Sequence, residues 1–112
     1  MIEAYTFGSI TIDGKRYSKD VIIYKDRVDD SWWRKEGHNL CVDDIREIIE
    51  AEPEVLVIGT GDSGLMRVPK KTKEFVESKG IGFIVERTAE AVKVYNSLCG
   101  TKDVIAALHL TC

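Results

Sequence analysis

A chain of 112 residues supports one domain with one core, and folding at that size buries roughly two-thirds of the surface that the unfolded chain exposes. Hydrophobic residues make up 44% and charged residues 31%, the balance of an ordinary water-soluble globular domain. The net charge of −3 gives no electrostatic motive for binding nucleic acid or an anionic membrane, and no apolar run approaches the ~20 residues that cross a bilayer.

The N-terminal quarter reads as strands. Ile2 to Phe7 is the first, and Ser9-Ile10-Thr11-Ile12 alternates polar and apolar. Asp13-Gly14 is a hairpin-turn pair, because glycine accepts positive φ without a Cβ clash. Val21-Ile22-Ile23-Tyr24 is a β-branched run suited to an inner strand. Asp26 to Leu40 follows as a long irregular segment, ordered by two tryptophans. Asp43 is placed to cap a helix from Asp44 to Ala51, where Ile45, Ile48 and Ile49 form one apolar face and Pro53 ends the run. Val55 to Ile58 is apolar on both faces, as in a strand covered by helices on both sides. A second helix is expected from Pro69 to Lys79, with Phe75 and Val76 inward and Gly80 as its stop. Ile81 to Glu86 is the next strand. Thr88 is expected to cap a third helix, Ala89 to Leu98, that buries Val92, Tyr95 and Leu98. Asp103 to Leu110 closes as the last strand. The order predicts a single α/β domain over residues 1–112, three-layered, with a mixed, largely parallel central sheet and an N-terminal β-hairpin region.

Met1-Ile2-Glu3-Ala4 lacks a basic-then-apolar leader, so a cytoplasmic protein is expected. The absence of Gln, with Asn39 and Asn96 the only Asn, beside abundant Lys, Arg and Glu, points to a thermophilic source. Cys41, Cys99 and Cys112 match no zinc-ligand spacing. An ordinary cytosol keeps all of them as thiols; a thermophilic one permits an internal disulfide whose pairing the sequence leaves open.

The apolar run ending in Gly59-Thr60-Gly61-Asp62-Ser63-Gly64 is the most informative stretch, because α/β domains bind ligands where inner strands end in loops. Gly59-x-Gly61-x-x-Gly64 matches the dinucleotide pattern, with Glu86 in place for a ribose acid. Leu65-Met66-Arg67-Val68 nevertheless separate the glycines from the helix that should grip the pyrophosphate, so a tight turn that needs backbone freedom fits better. Gly61-Asp62-Ser63-Gly64 also echoes the nucleophile loop of trypsin-like proteases, which this chain is too short and too helical to be. A Ser63–His38 or Ser63–His109 pair cannot be placed from sequence. Arg67, Lys70 and Lys71 surround the start of the second helix, the end where its dipole favours anions; they mark either an anion site or a solvated basic face. Trp32, Trp33, Arg34 and His38 form either a recognition wall beside the glycines or a loop pinned by one Trp in the core. Two distant histidines argue against a metal site.

Ser31-Trp32-Trp33-Arg34, Gly37-His38-x-Leu40, Pro53 through Gly61, Thr88-x-x-Ala91-x-x-x-Tyr95-Asn96-x-Leu98 and Val104 through His109 occur in order along the chain. Together they resemble the small-protein family that includes mitochondrial complex I assembly factor 3 and the adipogenesis-associated protein, with stand-alone archaeal and bacterial members. The resemblance implies a three-layer α/β domain with a mixed sheet, no established enzyme activity, no cofactor, and a role exerted through partners. One departure is Gly100-Thr101-Lys102-Asp103, where relatives tend to carry an arginine; Lys102 restores the charge without the bidentate geometry.

The expectation is a non-catalytic binding or assembly protein without catalytic or metal residues. Its binding surface draws on Trp32, Trp33, Arg34, His38, Gly59, Thr60, Gly61, Ser63, Arg67, Lys70 and Lys71. Its counterpart is an unidentified protein partner or a small anionic ligand, not nucleic acid or membrane, and the chain is a monomer or a homodimer. The alternative is a small-molecule or nucleotide-binding enzyme using the cleft beside Gly59–Gly64.

Overall fold

At Asp13-Gly14 both residues take positive φ, 49° and 83°, the turn that matches the twist of flanking strands. It joins β2 (Ser9–Ile12) to β3 (Lys15–Tyr17), and β2 also pairs antiparallel with β1 (Ile2–Thr6). This computed structural model describes residues 1–112. The remaining strands, β4 (Val21–Ile23), β5 (Val28–Asp29), β6 (Val55–Thr60), β7 (Gly82–Glu86) and β8 (Val104–His109), form one sheet in the order β5-β4-β8-β6-β7. β6 pairs parallel with both β7 and β8, while β4 pairs antiparallel with β8 and β5. The helices are α1 (Arg46–Glu50), α2 (Lys70–Ser78) and α3 (Thr88–Leu98).

Strand alternation sorts the core into two halves. Ile22, Leu56, Ile58, Ile105 and Ala107 point to one face and pack with Ile45 and Ile48 around α1, Val76 of α2, Trp32 and Leu40. Val21, Ile23, Val57, Val104, Ala106 and Leu108 point to the other and pack with Ala91 and Tyr95 of α3 and with Ile2, Ile10 and Ile12 of the β1–β2 hairpin. The result is three layers, with the mixed sheet in the middle. No helix is long and apolar enough to cross a membrane.

Three local expectations need correction. The helix after Cys41 begins as a 3-10 turn (Val42–Ile45), and the carboxylate that takes the Cys41 amide, at 2.8 Å, is that of Asp44. Asp43 instead pairs with Lys35 and Arg46. Thr88 lies inside α3, whose N-cap is Arg87; its buried hydroxyl is spent on the strand ends beneath. The segment after Asp26 is not wholly irregular, because Val28–Asp29 extends the sheet as β5.

Candidate functional site

The carboxyl ends of β6 and β8 meet where the chain reverses its direction of winding: from β6 it crosses through α2 to β7 on one side, then returns through α3 to β8 on the other. Such a switch point is where open α/β sheets hold their functional groups. The alternating rows that fill the α1/α2 face continue here with polar side chains. Ile22 is preceded on its face by Asp20, Ile58 is followed by Thr60, and Ala107 by His109, which pairs across the sheet with Thr60.

Asp20 gathers these rows. Its Oδ1 accepts from the Leu110 amide at 2.8 Å, and its Oδ2 lies 2.7 Å from His109 Nδ1 and 2.9 Å from Arg34 Nη1. A carboxylate that close to Nδ1 must receive its proton, so the hydrogen of Nδ1 points at Asp20. Arg34 Nη2, 3.1 Å from the same Nδ1, then has its hydrogen-bond acceptor in the Gly37 carbonyl at 3.2 Å. Burial works against the charge on Asp20, but the His109 and Leu110 hydrogen bonds and the Arg34 guanidinium outweigh it and hold the carboxyl below its ordinary value. The Arg34 side chain is 6% exposed and that of His109 9%. Arg34 Nε and His109 Nε2 are buried without a hydrogen-bond partner.

The consequence is a fixed Arg34, and with it a fixed neighbouring loop. The guanidinium lies 4.6 Å from the Trp32 ring centroid, and the Trp32 indole N–H donates to the Asp44 carbonyl at 3.0 Å. Lys35 N donates to Asp44 Oδ1, and Ser31 donates through both N and Oγ to Asp29 Oδ1. Trp32 is buried, whereas Trp33 is 73% exposed. Beside Trp33 lies a cavity of about 220 Å³ lined by Tyr24, Trp32, Asp29, Asp44 and Glu47 among others. Trp32 is therefore the ring that pins the loop to the core, and Trp33 is left at the surface.

His38 is exposed, its ring 6.1 Å from that of His109. Its carbonyl accepts from Arg67 N, and Leu40 N donates to the Arg67 carbonyl, both at 2.8 Å. Arg67 is thus stitched to the tryptophan loop. Lys70 and Lys71 are exposed at the start of α2, where Lys71 lines a separate cavity with Lys35 and Cys41.

The glycine stretch is not an open cradle. Gly59 and Thr60 are strand residues, and the Thr60 hydroxyl donates to the Glu86 carbonyl. Gly61 N donates to Thr88 Oγ1 at 2.9 Å, Gly64 N to the Gly61 carbonyl, Asp62 N to Thr111 and Leu65 N to Cys112. Gly61 has φ +108°, and a Cβ there would collide with the Cys112 carbonyl group. Arg87 closes the loop from above, with Nε and Nη2 on the Asp62 carbonyl. Ser63 is exposed, and neither imidazole is hydrogen-bonded to it. His, Cys, Asp and Glu side chains nowhere gather in a metal-holding group of three or more, and all the cysteines are free thiols.

Sequence reasoning overlooked Asp20 and weighed His109 as a partner for Ser63, as a metal ligand and as part of a family motif, but not as a partner for an acid. The available signal was parity: in the row Asp20-Ile22-Tyr24 an acid occupies the core face of an inner strand, which calls for a buried cation or donor.

The fold recurs in solved structures. A conserved hypothetical protein from Pyrococcus horikoshii OT3 is 29% identical with a TM-score of 0.85, the match covering 100% of this chain and 99% of that one. A protein from Bartonella henselae, called an outer membrane protein, is 25% identical with a TM-score of 0.82 over 99% of this chain and 94% of its own. A Bordetella pertussis protein, a Mth938-like domain, shares the fold at 20% identity and a TM-score of 0.76, over 98% of this chain and 85% of that one. The family model for "Protein of unknown function (DUF498/DUF598)" matches residues 2–109, and the chain belongs to that family.

Proposed function

We propose that this chain is a non-catalytic binding or assembly protein that docks a protein partner on the loop carrying Trp33. The observation that carries the reading is an indole 73% exposed on a segment whose neighbours are fixed by buried bonds. An exposed tryptophan on a rigid base loses little entropy on binding and brings a large apolar area, the usual make-up of an interface anchor. Asp29, Asp44 and Glu47 around the adjoining cavity favour a partner that presents basic side chains next to Trp33. Arg34 and Trp32, fixed against each other, form the anchor's base, and His38 and Arg67, joined through their backbones, belong to the same proposed surface. The resemblance to complex I assembly factor 3 and the adipogenesis-associated protein supports a role exerted through partners, and a cytoplasmic, thermophilic setting belongs to the same proposal. A small anion at the glycine stretch is the weaker reading, since the Gly61, Asp62, Gly64 and Leu65 amides are bonded within the chain.

A photo-crosslinking aromatic amino acid at position 33, in cells of the source organism, tests this directly. One defined protein adduct is expected, lost when the probe is moved to exposed Ser97 and competed away by unmodified protein but not by Trp33→Ala. Equal competition by folded Trp33→Ala sinks the proposal.

A further inference from the structure

β7 is an edge of the central sheet: it pairs with β6 and with no other strand. Sheet edges are normally blunted by lysine, proline, a bulge or a covering segment. Gly82-Phe83-Ile84-Val85-Glu86 contains no proline or lysine, and its register with β6 is unbroken from Val55↔Gly82 to Gly59↔Glu86. Gly82 N donates to the Glu54 carbonyl at 2.9 Å, and the Glu86 carbonyl accepts from Thr60 Oγ1 of β6. Parity then turns the N–H and C=O groups of Gly82, Ile84 and Glu86 toward β6, and those of Phe83 and Val85 outward.

We infer that β7 is a self-association edge, pairing antiparallel with β7 of a second copy about a two-fold axis at Ile84. This register alone matches the outward groups of the two copies without remainder. Phe83 stands opposite Val85 of the second copy and exchanges both backbone hydrogen bonds with it; Val85 does the same with Phe83; Ile84 meets Ile84 as the close pair between them. Glu86 falls opposite Gly82, so no like charges face each other across the axis. The side chains agree with the backbone. Val85 is 37% exposed, and Phe83 and Val85 line a cavity of about 380 Å³ with Val68 and Lys73 that opens beside the edge. The second copy brings its own Val85 and Phe83 to that place. Phe83 belongs to the α1/α2 core and Ile84 to the α3 core, so pairing continues both halves of the interior across the axis. A two-fold interface of this kind closes on itself and leaves the Trp33 loop, beyond β4 and β5 at the opposite edge, free for a different partner.

Sedimentation equilibrium of the full chain up to about 1 mM, the weak end of specific association, reads the equilibrium. A reversible dimer is expected. Val85→Pro removes an outward N–H that β6 does not use and should weaken the dimer at least about tenfold while the circular dichroism spectrum is retained. A second measurement covers the case in which the proline variant fails to fold. Ile84→Cys, with Cys41, Cys99 and Cys112 changed to Ser, should form a disulfide-linked dimer under mild oxidation, whereas Ser97→Cys in that background should not. A strictly monomeric chain at the highest concentration, or a dimer whose Ile84→Cys form links no faster than Ser97→Cys, overturns the inference.

Discussion

Asp20 has both carboxylate oxygens engaged by groups from the far end of the chain, with the His109 imidazole 89 residues away and the Leu110 amide 90. Arg34 closes the cluster from the tryptophan loop. Removing the carboxylate leaves a buried guanidinium and an imidazole unpaired, so Asp20→Ala should cost about 3 kcal/mol, measured by urea unfolding at pH 7. The pH dependence has a definite sign. The folded state holds the Asp20 carboxyl below its unfolded value of roughly 3.9, so its stabilisation is complete above that pH and fades as pH falls through the lower folded value. The gap between wild type and Asp20→Ala should therefore narrow as pH falls from 5 toward 3. A gap that persists unchanged at pH 3 contradicts the assignment. Trp32 and Trp33 divide at the same scale. Trp32→Ala should cost about 3–5 kcal/mol, whereas Trp33→Ala should stay within about 0.5 kcal/mol of wild type and remove the component of indole fluorescence that acrylamide quenches. Neither distinction is written in Ser31-Trp32-Trp33-Arg34 itself. Which indole is buried depends on the Asp44 carbonyl, and Arg34 becomes a structural cation only because the fold delivers Asp20 to it.

At the scale of elements, the end of β6 was legible as a location but not in its chemistry. The strand, the turn and α2 stand close to where hydrophobic runs, glycines and Pro69 put them. Thr88 and the 111–112 segment were not readable as occupants of the turn, because their bonds to it join residues distant in sequence: 27 positions from Gly61 to Thr88, and about fifty from Asp62 to Thr111. Two outcomes follow from that occupancy. Gly61→Ala forces a side chain into left-handed backbone and into the Cys112 carbonyl, so it should destabilise by about 3 kcal/mol or more. Thr88→Val leaves the Gly61 amide and the His109 carbonyl without the hydroxyl that joins them, at about 2–4 kcal/mol; thermal or urea melts check both. The same turn should ignore nucleotides. NAD, ATP or S-adenosylmethionine at millimolar concentration should leave the melting temperature unchanged, since a turn whose Gly61, Asp62 and Gly64 amides are already bonded offers little differential affinity for the folded state. A reproducible rise with any of them restores the glycine stretch as a ligand site. The short helix near Arg46 illustrates a smaller misreading. Asp43 and Asp44 have equal capping chemistry, and only the path of the preceding loop puts Asp44 under the Cys41 amide.

Over the whole molecule, one sheet serves two interiors. The three-layer order was legible because it depends on periodicity: Val55 to Ile58 is apolar at every position, which in a strand requires cover on both faces. What periodicity could not assign is which helix covers which face, because that follows from the handedness of the two crossovers rather than from either helix alone. The outcome places Leu56 and Ile58 against α1 and α2, and Val57, between them in the chain, against α3 and the hairpin. Neither half can loosen without freeing strands that the other half needs, and the chain should therefore unfold in one cooperative transition. Leu56→Ala should cost about 3 kcal/mol and Val57→Ala about 2 kcal/mol, the first lost from one interior and the second from the other. Each should shift a single denaturation midpoint by the same amount whether it is followed by Trp32 fluorescence, which reports the α1/α2 side, or by tyrosine near-ultraviolet dichroism, to which Tyr95 contributes on the α3 side. If Val57→Ala moved the dichroism transition while leaving the fluorescence midpoint in place, the two interiors would be separate folding units and β6 a shared wall rather than a shared core.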